Sequence, residues 1–131
     1  MKKLSLVLLS LALAVCFLFA GCNKYGVIKK AYEDAGWTVS TEIEQYQDQI
    51  NTAIAEENRE DIADVHVFVK NIVSVAIIVE FKSTESLVEA VENSATLQGF
   101  IEDAQNSDYV SGNCVLITLS PAALEVFKTT K

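Results

Sequence analysis

The chain is poor in the residues that most often announce chemistry. Its 131 residues hold one His, three Cys, one Pro and five Gly, and Arg59 is the only arginine. That scarcity excludes a Gly-rich phosphate loop, a Pro- or Gly-rich linker and any low-complexity stretch. Basic residues are also few: 10 Lys+Arg against 18 Asp+Glu give a net charge of −8 and a pI near 4.5. Nucleic-acid binding is excluded on this ground, because it needs a clustered basic surface that displaces counterions. The length admits one domain and excludes a two-domain enzyme. Apolar residues, by contrast, make up 50% of the chain, and the first 21 positions take a disproportionate share.

Lys2 and Lys3 precede an almost unbroken apolar run from Leu4 to Phe19, closed by Ala20 and Gly21 just before Cys22. This is the layout of a secretory signal peptide. The run also approaches the shortest spanning helices, about 17 residues, so an uncleaved anchor is the competing reading. In both, the lysine pair stays cytoplasmic and the remainder crosses the membrane. The segment Leu18-Phe19-Ala20-Gly21-Cys22 resembles the lipobox of bacterial lipoproteins: an apolar residue and two small ones before the cysteine that becomes the new N-terminus. The resemblance implies diacylglyceryl transfer to the Cys22 thiol, cleavage after Gly21 and acylation of the freed amine. Residues 1–21 are then a cleaved leader, and residues 22–131 a single domain outside the cytoplasm. Lipid on Cys22 would hold that domain to the cell membrane or outer membrane.

With Cys16 in the leader and Cys22 lipidated, Cys114 is the one thiol of the mature domain, so no intrachain disulfide forms. His66 and Cys114 are too few for a structural zinc site, and no cofactor or metal motif is present. Cys114 with His66 suggests a thiol–imidazole nucleophile. Both fall inside apolar strands, however, where a cysteine more often acts as a small hydrophobe.

Beyond the leader, Tyr25, Ile28, Tyr32 and Ala35 recur at helical spacing up to Gly36. A short strand over 37–40 follows, then Thr41…Glu44 reads as a capping box for a helix with an Ile43/Tyr46/Ile50/Ile54 stripe, running to about Asn58. From Val65 the period changes to two. Val65/Val67/Val69 and Val73/Val75/Ile77/Val79/Phe81 predict two strands joined at Lys70-Asn71 as an antiparallel hairpin. Ser83 caps a helix carrying Leu87, Val88 and Val91; it breaks at Asn93-Ser94 and resumes through Leu97, Phe100, Ile101 and Ala104. Residues 106–113 read as a loop, Cys114–Leu119 as the last strand, and Ser120-Pro121 as the start of a short closing helix with Leu124 and Phe127 inward.

The order strand, helix, strand, strand, helix, strand defines an α+β chain resembling the ferredoxin-like βαββαβ sandwich, preceded by an N-terminal helix and followed by a short C-terminal helix. That resemblance implies two right-handed crossovers with both helices on one face of a four-stranded sheet. It does not imply a function. An acylphosphatase-like enzyme on this architecture would need an Arg in the loop after the first strand, which here is Ser40-Thr41-Glu42.

With the Val65/Val67/Val69 side covered by the two long helices, the reverse face carries His66, Phe68, Ala76, Ile78, Cys114 and Leu116. It is too apolar to be wet. The flanking helices, a second copy or another envelope protein, or a small ligand could cover it. His66, Phe68, Ile78, Cys114 and Leu116 are therefore the candidate binding face. Acidic residues crowd two other elements, Glu42, Glu44, Asp48, Glu56, Glu57, Glu60, Asp61 and Asp64 on one and Glu85, Glu89, Glu92, Glu102 and Asp103 on the other, as a solvated surface or a site for a basic partner. Lys24, Lys29 and Lys30 gather next to the lipid position, where each would add about 1 kcal/mol of attraction to anionic headgroups. The expected role is a lipid-anchored binding or assembly module without catalysis, the alternative a small-ligand- or peptide-sensing module on the reverse face.

Overall fold

A computed structural model describes residues 24–131. The expected leader, residues 1–21, and the expected lipid site Cys22 lie outside the described residues. The fold is α+β. Helix α1 (residues 24–34) leads into β1 (Thr38–Ser40), a 3-10 turn (Ile43–Tyr46), α2 (Gln47–Ala53), a second 3-10 turn (Glu56–Asp61) and the hairpin β2 (Ile62–Lys70) and β3 (Ser74–Phe81). Then come α3 (Thr84–Glu92), α4 (Ala95–Gln98), β4 (Val110–Ser111), β5 (Cys114–Ile117) and α5 (Pro121–Lys128).

All pairings in the five-stranded sheet are antiparallel, in the order β1-β2-β3-β5-β4. This corrects the ferredoxin-like expectation. A right-handed crossover joins parallel strands, whereas β1 and β2, and likewise β3 and β5, are direct antiparallel neighbours despite the helices between them. The fifth strand, β4, lies inside the segment read as loop. Both edge strands are short, three residues in β1 and two in β4.

Period-two alternation divides the apolar residues between two cores. Val67, Ile77, Val79, Phe81 and Val115 face a layer built from the 3-10 turns, α2, α3 and α4, whose Ile50, Ile54, Leu87, Val91 and Leu97 complete one buried cluster. Phe68, Ala76, Ile78, Cys114 and Leu116 point the other way, beneath Ile28 and Tyr32 of α1, Trp37, and Ala123 and Phe127 of α5. The result is three layers with the sheet in the middle.

Several local signals act as read. Helix α1 ends in a Schellman motif at Gly36 (φ +93°): Trp37 N–H donates to the Tyr32 carbonyl at 2.9 Å and Gly36 N–H to that of Glu33 at 3.1 Å. Ser83, Ser94 and Ser120 each accept a backbone N–H at a helix start. Others differ. Thr41 and Glu44 form no capping box, and that segment winds as a 3-10 turn, with the Ser40 hydroxyl accepting Glu42 N–H instead. Helix α4 ends at Gly99, which leaves Phe100, Ile101 and Ala104 in irregular chain.

Candidate functional site

Four of the five predicted binding-face residues, Phe68, Ile78, Cys114 and Leu116, are 0% exposed. The flanking helices fill the face that they would have lined, so it is no open binding surface. Cross-strand register puts His66 opposite Ile78, and Ile78 opposite Leu116. The Tyr32 ring stacks on Phe68 at 5.0 Å, and its hydroxyl donates to the Ala123 carbonyl at 2.6 Å, tying α1 to α5 over the sheet.

His66 keeps a little access at the margin of this core. Its Nε2 lies 3.0 Å from Glu80 Oε1, and the Tyr25 ring stacks on the imidazole at 3.4 Å. Burial, helped by the Asp64, Glu33 and Glu80 carboxylates, pushes the Tyr25 hydroxyl up to about 12. Cys114 on β5 pairs across to Glu80 on β3, two strands from His66 on β2 and offset along the sheet, a strand separation of roughly 9.6 Å alone. Burial pushes its thiol up to about 12. Cys114 lies wholly buried among the apolar side chains of this cluster, as a small hydrophobe would.

Open apolar surface lies elsewhere. On the other side of the sheet, a trough of about 940 Å³ runs between α2, the start of β3, Phe100 and the end of β5. Half-buried Tyr46, Val75, Phe100 and Ile117 join buried Ala53 and Ile77 in its lining. Val73 and Leu119, 84% and 102% exposed, also line it, and Ile72 beside them is 96% exposed. Three large hydrophobic side chains standing in water at one end of a small domain are unlike the scattered apolar residues of an ordinary surface. Gln45, Gln49, Thr52 and Thr96 supply polar groups; among the described residues Asp48 is the only charged one in the lining.

Pattern reading placed Val73 and Leu119 inside strands and so missed this trough. The hairpin spends three residues on its turn, because Lys70 pairs with Ser74 and Asn71 takes a left-handed conformation (φ +59°). That lifts Ile72 and Val73 out of the sheet. Strand β5 stops at Ile117, where the Thr118 hydroxyl donates to the Val75 carbonyl at 2.6 Å and Leu119 swings outward.

Charge is divided between the layers. Residues 24–37 and 120–131 carry Lys24, Lys29, Lys30, Lys128 and Lys131 against Glu33, Asp34 and Glu125, a formal +2. Residues 41–61 and 82–109, the helical layer that borders the trough, carry thirteen carboxylates against Arg59 and Lys82, a formal −11. Position along the strands is divided too. Lys24 lies at the β4–β5 turn, its Nζ donating to the Thr130 carbonyl at 2.7 Å with its stem against Gly112. The exposed Ile72 and Val73 sit at the β2–β3 turn, the opposite end of the eight-residue β3, roughly 25 Å away.

Among the described residues no group of three or more His, Cys, Asp or Glu is placed to hold a metal ion, and no helix is long and apolar enough to cross a membrane. No protein-family model, curated protein or solved structure matches the chain.

Proposed function

We propose that the protein is a lipid-anchored component of the bacterial envelope that works by binding, with the trough between α2 and the β3–β5 end as its binding site. The observation that carries the reading is the row of half-buried Tyr46, Val75, Phe100 and Ile117 continued by exposed Val73 and Leu119. A monomer gains nothing from holding such residues in water, whereas a partner that covers them removes apolar area at about 25 cal/mol per Å². The buried reverse face favours the binding-module reading over a ligand sensor built on His66, Phe68, Ile78 and Leu116. The lipobox-like segment ending at Cys22 supports the anchor, and the lysines of the α1/α5 layer suit an anionic headgroup surface.

Two measurements test this reading. The intact mass of the membrane-extracted protein should equal residues 22–131 plus lipid, and Cys22→Ser should release the protein from the membrane; an uncleaved or unlipidated chain defeats the anchor. A photo-crosslinking residue at position 119 should give a discrete adduct in intact cells and one at position 85, on α3, should not. Equal labelling from both positions removes the trough from consideration.

A further inference from the structure

The chemistry around the trough narrows what enters it, granted that the trough is the binding site. We infer that its occupant is an amphipathic segment of another protein, bearing bulky apolar side chains flanked by Lys or Arg, and that it docks from the side facing away from the membrane.

Charge complementarity selects the sign. The trough borders the helical layer of formal charge −11, and among the described residues its one charged lining residue is Asp48, with no Lys or Arg. An apolar segment with acidic flanks would meet like charge at Asp48 and along the acidic helical layer that forms one side of the opening. A segment with basic flanks is attracted before contact and held in register afterwards. A second copy of this chain is the less suitable occupant, because symmetric packing through this opening sets two layers of formal charge −11 against each other. The shape of the lining matches a side chain on an extended or helical segment. Its aromatic and β-branched walls accept large hydrophobes, while Gln45, Gln49 and Thr52 offer hydrogen-bonding groups at the margin.

Position selects the direction. Chain entry at Lys24 is pinned to the β4–β5 turn and to Thr130, only two residues after Cys22. That tether leaves almost no slack. A lipid at Cys22 holds this end of the sheet, and the basic α1/α5 layer, close to the bilayer, while Ile72, Val73 and Leu119 lie at the far end. The apolar residues at that end are thereby kept from inserting into the same membrane.

The test uses the full lipidated protein reconstituted in phosphatidylcholine vesicles, with protein-free vesicles as the baseline. Three fluorescein-labelled helical peptides of equal length serve as probes: Leu/Lys, Leu/Glu and Ser/Lys. The Leu/Lys peptide should bind at least about tenfold more tightly than either other peptide, a difference of ~1.4 kcal/mol. Its advantage over Leu/Glu should shrink at about 0.5 M salt, where charges are screened within a few ångströms. Val73→Ser with Leu119→Ser should weaken Leu/Lys binding about tenfold; both side chains are exposed, so the fold does not depend on them.

Equal binding of Leu/Lys and Ser/Lys, unaffected by that double variant, means that the trough binds nothing and overturns the functional reading itself. Equal binding of Leu/Lys and Leu/Glu, both weakened by the double variant, keeps the trough as a site and overturns the basic-segment inference alone. Self-association of the protein that the double variant abolishes identifies a second copy as the occupant and likewise overturns it.

Discussion

Ile78 offers the sharpest test of how the reverse face is covered. It is 0% exposed on β3, with His66 and Leu116 as its cross-strand neighbours and the α1/α5 layer above. Ile78→Ala removes three carbons, worth ~2.4 kcal/mol at about 0.8 kcal/mol per buried group. A partly relaxed void of roughly 40 Å³ adds about 1 kcal/mol. The expected loss is therefore about 3 kcal/mol out of a total stability on the order of 5–15 kcal/mol. Ile78→Asp buries an unpaired carboxylate as well and should unfold the domain. Trp37, the only tryptophan and 2% exposed in the same cluster, reports the transition by fluorescence in a urea titration. Because the cover is intramolecular, the midpoint should not move when protein concentration changes about a hundredfold. A concentration-dependent midpoint, or an Ile78→Asp protein that stays folded but changes its sedimentation, would refute cover by α1 and α5.

Three smaller perturbations probe other parts of the argument. Ser94→Ala removes both the cap on Leu97 N–H and the donor to the Ala53 carbonyl at 2.6 Å. Urea unfolding should show a loss of about 2 kcal/mol. The thiol of Cys114, raised from 9.0 to about 12 by burial, stays neutral in the fold at pH values where the unfolded chain ionises. Its contribution is intact below pH 9 and lost between about 9 and 12, at roughly 1 kcal/mol per pH unit. Thermal melts of Cys114→Ala should therefore fall less steeply with pH across that window. At Asn71 (φ +59°), Asn71→Val should cost about 1–2 kcal/mol and Asn71→Gly little; equal melting temperatures for the two would contradict the left-handed turn.

The strands and their faces were legible because a period of two is a property of consecutive residues: Val67 and Ile77 divide from Phe68 and Ile78 without knowledge of the partner strand. The caps at Ser83, Ser94 and Ser120 were legible for the same local reason. Strand order was not. Whether β1 lies beside β2 or beside β3 depends on how α2 packs back, and no short-range pattern encodes that. The candidate site failed at the ends of strands. The alternation continued on paper through Val73 and Leu119, but turn geometry at Asn71 and the Thr118 bond to Val75 had already taken both residues out of the sheet. An apolar residue one position beyond a strand looks the same in sequence as one inside it.

The meeting of α1 and α5 over a single face bears on when the domain can fold. Tyr32 rests on Ala123, and Lys24 on Thr130, so the first and last described segments seal the same core. A nascent chain that stops before residue 120 has the sheet, the α2/α3/α4 layer and α1, but lacks Ala123 and Phe127, so the core under α1 is only half covered. Completion waits for the final dozen residues. Clipping the C-terminus would be as damaging as carving a hole in the centre of the domain.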